Sequence, residues 1–106
     1  MVASVDIATF AARRADGATV IDVREPGEYV SGHVPGARLV PMSQISGAVG
    51  SLPRDRDVYV ICQSGNRSRS MASLLSGMGI RAITVDGGTS GWISAGHDVV
   101  TGTRAE

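Results

Sequence analysis

The 106-residue sequence contains no lysine and only one cysteine, Cys62. All ten basic residues are arginine, so Schiff-base chemistry is excluded, and anion recognition falls to arginine side chains, backbone amides and helix ends. A single cysteine forms no internal disulfide and has no resolving partner, which argues against a thioredoxin-like reductase. Without a second cysteine or a suitable spacing of ligands, we expect no metal site and no cofactor.

Long apolar runs and an excess of one charge are also missing. No stretch is long enough to span a membrane, and no basic-plus-apolar leader is present. Ten acidic residues balance the ten basic ones, so nothing favours nucleic acid or a membrane as a partner. With the lone cysteine, these features predict a cytoplasmic protein. The length predicts one domain over residues 1–106, with a loose tail from about residue 101.

Short runs of branched apolar residues predict strands at 19–23, 57–62 and 81–86, and a weaker strand at 37–40. The runs are continuous rather than alternating, as in strands that are covered on both faces. Helical segments are predicted between them, and this alternation indicates an α/β fold with a mainly parallel sheet and helices on both sides. The predicted helices begin at Asp6, which acts as a cap, and continue at 26–31, 42–52, 68–78 and around Trp92.

The helix predicted at 68–78 has the clearest apolar periodicity of the chain. Met71, Leu74, Leu75 and Met78 follow a three-to-four spacing, so we expect them to form its buried face.

The segment with the strongest chemical signal runs from Cys62 to Ser68. Cys62 ends a predicted buried strand, and a helix begins a few residues later. Ligands of parallel sheets bind at the carboxyl ends of the strands. A short loop containing Gly65 can turn several backbone N–H groups inward, and with the following helix N-terminus it stabilises negative charge. We therefore expect Cys62 to have a lowered pKa and to act as a nucleophile.

Four motifs follow one another along the chain. The first comprises residues 21–25, with an Asp-x-Arg pattern, followed by Glu28, and the second is the turn Gly-His-Val-Pro-Gly-Ala at residues 32–37. The third is the loop Cys62-Gln63-Ser64-Gly65-Asn66-Arg67, with a pattern of Cys, two residues, Gly, one residue and Arg, and the fourth is the segment 87–96, with two glycines and a tryptophan. In this order and spacing, the motifs make the chain similar to a single rhodanese homology domain, which has the same Asp-x-Arg segment, a Gly-His-Ile-Pro-Gly-Ala turn, the same cysteine loop and a similar segment after the last strand.

This resemblance implies a three-layer domain with a five-stranded, mainly parallel sheet flanked by helices. It also implies a sulfurtransferase in which Cys62 takes a sulfane sulfur from a small donor such as thiosulfate and holds it as a persulfide. Cyanide, a thiol or a sulfur-accepting protein would then remove the sulfur. The residues expected to bind substrate, mainly through backbone N–H groups, are Gln63, Ser64, Gly65, Asn66, Arg67 and Ser68.

Two residues of the loop keep alternative roles. Arg67 either binds the oxyanion of the donor or forms a salt bridge that rigidifies the loop. Ser68 either serves the site or is an ordinary helix cap.

Several other polar residues are expected to support the site structurally. Asp22 and Arg24 end a strand near the rim, and we expect Arg24 to pair with Glu28. His33 is expected to be a turn residue whose ring holds backbone groups. Trp92 is expected in the core and His97 on the surface.

Two other functions stay open at this point. One is a cysteine-dependent phosphatase or arsenate reductase of the related fold. Its loop has one more residue between cysteine and arginine than the four, Gln63 to Asn66, that are found here. The other is a sulfur-relay or interaction module with little turnover of its own. Because no second thiol is present, the sequence also predicts that discharge of the persulfide needs an external acceptor.

Overall fold

The computed structural model describes residues 2–106 and forms one parallel five-stranded sheet. In chain order, the strands are β1 Ala3–Val5, β2 Thr19–Asp22, β3 Arg38–Leu39, β4 Asp57–Ile61 and β5 Arg81–Val85. The strand order across the sheet is β1-β5-β4-β2-β3, and every neighbouring pair is parallel. The prediction of an α/β fold with a five-stranded parallel sheet is confirmed.

The helices that connect the strands are α1 Ile7–Ala15, α2 Pro26–Ser31, α3 Ile45–Ala48, α4 Asn66–Gly77 and α5 Gly88–Ser94. Short 3-10 turns at Met42–Gln44 and Val49–Ser51 flank α3, in the segment where a loose helix was predicted. The predicted cap of α1 forms, since the Thr9 N–H donates to Asp6 Oδ1 at 2.8 Å. Within residues 2–106, no helix has the length and hydrophobicity needed to cross a membrane.

Helices cover both faces of the sheet, as the continuous apolar strands predicted. Successive residues of a strand point to opposite faces, so β4 supplies both halves of the core. Val58 and Val60 pack with residues of α3 and α4, whereas Tyr59 and Ile61 pack in the cluster that contains Phe10 of α1 and Trp92 of α5. Trp92 is therefore a core residue, as predicted.

The strand order creates a crevice between β2 and β4. The chain leaves β2 through α2 towards β3 at one edge, and it leaves β4 through α4 towards β5 on the other side. Parallel sheets bind ligands where connections diverge in this way, beyond the carboxyl ends of the strands. Cys62 follows β4 directly and Arg24 follows β2 closely, so both lie at this crevice.

The buried face of α4 differs from the predicted one. Ser68, Ala72 and Leu75 are fully buried, while Leu74 is 42% and Met78 38% exposed. Met71 is partly buried against the core. Leu75 was thus predicted correctly, but Leu74 and Met78 were not. The buried face instead includes Ser68, whose hydroxyl points inward and bonds within the site.

The C-terminal segment is attached to the domain rather than loose. His33 and Val100 exchange two backbone hydrogen bonds of 2.9 Å, and the Gly102 N–H donates to Val30 O at 2.9 Å. The Gly36 N–H donates to Ala105 O at 2.8 Å. The prediction of a loose tail was wrong because these backbone contacts join distant parts of the chain and leave no signal in local composition.

Candidate active site

The loop between β4 and α4 surrounds the Cys62 side chain. β4 ends at Ile61 and α4 begins at Asn66, with Gly65 as its N-cap residue. Gly65 has a φ of +110°, a left-handed backbone conformation that residues other than glycine rarely adopt. This conformation lets the chain enter the helix while the N–H groups of the loop point towards the sulfur.

The sulfur of Cys62 lies among hydrogen-bond donors. The Gly65 N–H donates to Cys62 Sγ at 3.1 Å, and the Ser68 Oγ lies 3.4 Å from it. Burial raises the pKa of the Cys62 thiol. The Ser68 hydroxyl and the backbone N–H groups of Ser68, Gly65 and Ser64 lower it, and together they outweigh the effect of burial, so the pKa is below its ordinary value. The site therefore stabilises a thiolate.

The Ser68 hydroxyl is itself held in place by β5. Ser68 Oγ lies 2.7 Å from the Thr84 hydroxyl and 3.2 Å from Gly65 O, and both side chains are fully buried. Ser68 occupies the third position of α4, while Gly65 is the N-cap residue, so the alternative that Ser68 caps the helix was wrong. Thr84 was not anticipated because it lies on a neighbouring strand and belongs to no local motif.

Residues at the N-terminus of α5 hold the backbone of the Cys62 loop in place through hydrogen bonds. The Thr89 N–H and hydroxyl donate to Cys62 O at 2.8 and 3.0 Å, and the Ser90 N–H donates to Gln63 O at 3.0 Å. Gly88 has a φ of +59°, and a Cβ there would lie 2.6 Å from Cys62 O. The glycine pair of this segment belongs to one of the predicted motifs, whereas no local pattern in the sequence indicates the roles of Thr89 and Ser90.

Arg24 joins the end of β2 to the loop. Its guanidinium makes a bidentate contact with Asp22, at 2.8 Å for the closest pair of atoms, and it donates to Gly32 O and to Gln63 Oε1 at 2.9 Å each. Gln63 Nε2 in turn donates to Ser90 Oγ at 2.7 Å. The expected pairing of Arg24 with Glu28 was wrong, because the buried Asp22 carboxylate accepts the guanidinium instead.

Glu28 pairs with Arg67 and thereby links α2 to α4. The two Arg67 Nη atoms donate to the two carboxylate oxygens at 2.7 and 2.8 Å. These bonds lower the pKa of Glu28 to about 2 against a smaller opposing effect of burial. Of the two roles considered for Arg67, the structure contains the salt bridge.

The remaining residues of the loop are more exposed. The side chains of Ser64 and Asn66 face solvent, and Gly65 is half-buried. The side chain of Arg69, in the first turn of α4, contacts Asp86 at 3.3 Å and is not directed at the loop.

His33 lies outside the crevice and holds backbone groups, as expected. Its ring is buried, with Nδ1 2.8 Å from Tyr29 O and Nε2 2.7 Å from Arg104 O. His97 is half-buried and stacks on Trp92 with ring centroids 4.2 Å apart, so the expectation of a solvent-facing residue was wrong.

A cavity of about 340 Å³ adjoins the loop on the side of α2 and α5. Its lining includes Gln63, which follows Cys62 in the loop, and Thr89, which bonds to Cys62 O. Glu28 and Arg24 form its polar wall, and the remaining lining residues are Ser31, Gly32, Ile93 and Val99. Across the part of the chain that the structure describes, no three His, Cys, Asp or Glu residues are placed to share a metal ion.

Fold and site together define an α/β domain built around one thiolate-stabilising cysteine loop. The family model described as Rhodanese-like domain matches residues 6–95, and the chain belongs to this family.

Proteins similar to this chain include sulfurtransferases. A thiosulfate sulfurtransferase GlpE from Pseudomonas entomophila is 36% identical over 78% of this chain and 77% of its own length. A sulfurtransferase from Allochromatium vinosum is 34% identical over 94% of this chain and 96% of its own length. The crystal structure of a rhodanese-related protein from Thermoplasma volcanium superposes with a TM-score of 0.87 and is 34% identical, covering 94% of this chain and 99% of that chain.

Proposed function

We propose that this protein is a sulfurtransferase that carries a sulfane sulfur on Cys62 as a persulfide. The observation that carries the proposal is the set of donors around Cys62 Sγ, which lowers the pKa of the thiol although the residue is only 1% exposed. A lowered pKa increases the fraction of the nucleophilic thiolate at a given pH. The sulfurtransferases among its relatives support the same reaction.

The donor half-reaction is a displacement on sulfur. With thiosulfate, the Cys62 thiolate attacks the sulfane sulfur, a new Sγ–S bond forms, and the bond to the sulfonate sulfur breaks. The electron pair of that bond leaves with sulfite, and the outer sulfur of the persulfide keeps the negative charge. The N–H groups of Ser64, Gly65 and Ser68 face Sγ and stabilise the negative charge of the attacking thiolate.

The acceptor half-reaction restores the thiolate. A thiolate or cyanide attacks the outer sulfur, the Sγ–S bond breaks, and its electron pair returns to Sγ. The acceptor leaves as a persulfide or as thiocyanate. Because Cys62 is the only cysteine of the sequence, we propose that the acceptor is always external, either a small thiol or the thiol of a partner protein.

The first test is the mass of the intact protein after incubation with thiosulfate and removal of the excess. We expect a gain of one sulfur atom, its loss on addition of cyanide, and no gain in the Cys62→Ser variant. Absence of added sulfur with several sulfane donors would contradict the proposal. Hydrolysis of an aryl phosphate by the same preparation would then move the assignment to the related phosphatases.

A further inference from the structure

We infer that Glu28 selects the sulfur donor: it disfavours dianionic thiosulfate and leaves the site to small organic persulfides whose tail lies in the cavity beside Gln63. This inference rests on the proposed function and names the class of donor for the same cysteine.

The first argument is the pairing of the arginines around the loop. Arg67, the cation of the loop itself, gives both of its Nη atoms to Glu28. Arg24 is bidentate to Asp22. Each guanidinium is thus balanced by a carboxylate that contacts it directly, and a donor that enters the crevice meets little net positive charge.

Glu28 also acts as a charge in its own right. Its carboxylate lines the cavity next to the loop, and with a pKa of about 2 it stays ionised at neutral pH. Arg67 belongs to the same loop as Cys62, and its pKa is raised chiefly by the hydrogen bonds to Glu28 and to a smaller extent by the charges of Glu28 and of the Cys62 thiolate. The Glu28 carboxylate therefore offsets the positive charge that would otherwise attract an anion to the sulfur.

The two donor classes differ in charge. Thiosulfate is a dianion, whereas an alkyl persulfide with an uncharged tail has at most one negative charge. Because Glu28 and Arg67 neutralise each other, the site lacks the attraction that an unpaired Arg67 would exert on both charges of thiosulfate. The organic persulfide has at most one charge, so the lack of electrostatic attraction disfavours its binding less.

The second argument is the apolar wall of the cavity. Ile93 and Val99 line its 340 Å³, and Ile93 is 50% exposed. Contact of an alkyl tail with these side chains removes apolar surface of both partners from water. Thiosulfate has no tail and gains nothing from this wall.

The transfer step is balanced without any further reactant. The Cys62 thiolate attacks the outer sulfur of the persulfide anion, a Sγ–S bond forms, and the S–S bond of the donor breaks. Its electron pair leaves with the alkyl thiolate, and the outer sulfur, now on Cys62, keeps its negative charge.

The test compares single-turnover loading of Cys62 by thiosulfate and by n-propyl persulfide, followed by intact mass. We expect wild type to load faster with n-propyl persulfide. The Glu28→Gln variant keeps an oxygen to accept the Glu25 N–H but leaves the charge of Arg67 without its balancing carboxylate. The rate with thiosulfate is expected to rise about five-fold, the effect of one charge at a partly exposed site, and to fall again with added salt. The rate with n-propyl persulfide is expected to change less than about two-fold.

Asp57→Asn is the matched control. It removes the same charge and breaks an exposed pair with Arg81 at 3.1 Å, but it lies at the amino ends of the strands, away from the crevice. We expect both loading rates to stay at wild-type values.

A second variant tests the cavity without altering any charge. Ile93→Ala is expected to slow loading by n-propyl persulfide about three-fold, from the loss of apolar contact, and to leave the rate with thiosulfate unchanged.

Three outcomes would overturn the inference. These are faster loading of wild type by thiosulfate, an unchanged ratio of the two rates in Glu28→Gln, and equal loss of both rates in Ile93→Ala. If neither donor loads wild-type protein, the proposed function itself fails. If both donors load it and only the ratio is insensitive to Glu28, the sulfurtransferase proposal stands and the inference alone fails.

Discussion

At the scale of single residues, the strongest effect that lowers the pKa of Cys62 comes from a hydroxyl that contacts its sulfur. Ser68 Oγ lies 3.4 Å from Sγ and 2.7 Å from the Thr84 hydroxyl, at a fully buried position. When the thiol is ionised, the Ser68 hydroxyl donates to the sulfur and Thr84 holds that hydroxyl in place. Substitution of either side chain is therefore expected to change the pH dependence of the alkylation of Cys62.

We predict that Ser68→Ala raises the pKa of Cys62, because it removes a bond that favours the thiolate. The pH profile of alkylation by iodoacetamide then moves to higher pH. At pH values below the midpoint, the alkylation rate falls several-fold because less thiolate is present. Thr84→Val, which loses only the supporting hydroxyl, is expected to shift the profile in the same direction by less.

Ser51→Ala is the control for this series, since its hydroxyl bonds only to Ala48 O at an exposed site. Its profile is expected to match wild type. An unshifted profile in Ser68→Ala would show that the backbone N–H groups alone stabilise the thiolate.

The residues of the Cys62 loop could be predicted from the sequence, but the residues that contact this loop from other elements could not. Cys62, Gly65 and Arg67 stand within a few positions of one another, so spacing alone marked the loop. Thr84 and Thr89 reach the loop from β5 and α5, more than twenty positions along the chain from Cys62. Their contacts depend on the packing of the sheet, which local sequence does not specify.

At the scale of elements, strand patterns were more informative than helix patterns. β2, β4 and β5 begin where their apolar runs predicted, since both of their faces are buried. β1 is a three-residue edge strand with exposed or half-buried residues, and the residue pattern did not reveal it. Apolar periodicity placed α4 in the chain but not its rotation, because a polar residue, Ser68, lies on the buried face.

The junction between α5 and the Cys62 loop leads to a prediction about Gly88. In Gly88→Ala, the new Cβ would lie 2.6 Å from Cys62 O and 2.7 Å from Gln63 O, at a φ of +59°. Backbone must move to relieve this contact, and we expect a loss of about 2–4 kcal/mol in the free energy of unfolding. The displaced loop is also expected to load sulfur from thiosulfate at least ten-fold more slowly, as read from the intact mass.

Gly27→Ala provides the comparison for a glycine without such a contact. Gly27 lies in α2 with a negative φ, and a Cβ at this position would meet nothing within 4 Å. Alanine favours helix, so stability is expected to stay equal or to rise by up to about 1 kcal/mol. Normal loading and stability in Gly88→Ala would show that the loop tolerates displacement from α5.

At the scale of the whole molecule, the chain end closes over the turn that contains His33. Residues 100–105 bond to the backbone of Val30, His33 and Gly36 and to the ring of His33. These residues lie beyond the segment matched by the family, which ends at residue 95. Gly32, just before His33, receives a bond from Arg24, so the tail is connected to the crevice through a short series of contacts.

We predict that removal of residues 101–106 destabilises the domain by about 2–4 kcal/mol. The truncation removes three hydrogen bonds: the one from the Gly102 N–H to Val30 O, the one between His33 Nε2 and Arg104 O, and the one from the Gly36 N–H to Ala105 O. It also leaves a ring nitrogen of the buried His33 without its protein partner. Urea unfolding of the two proteins would measure the difference. Removal of Glu106 alone, which supplies none of these three bonds, is expected to leave the midpoint unchanged.

Hydrogen exchange of the intact protein gives an independent measure of the same contacts. The amides of Gly36 and Gly102 both donate within this closure, so they are expected to exchange far more slowly than the amide of Glu106, which has no such bond among the described contacts. A tail that is only loosely placed would exchange at every position from residue 101 onward at the rate of an unfolded peptide, and truncation would then cost no stability. Slow exchange at Gly36 that becomes fast on truncation would show that the last residues complete the fold around His33 and hold the turn to which Arg24 is bound.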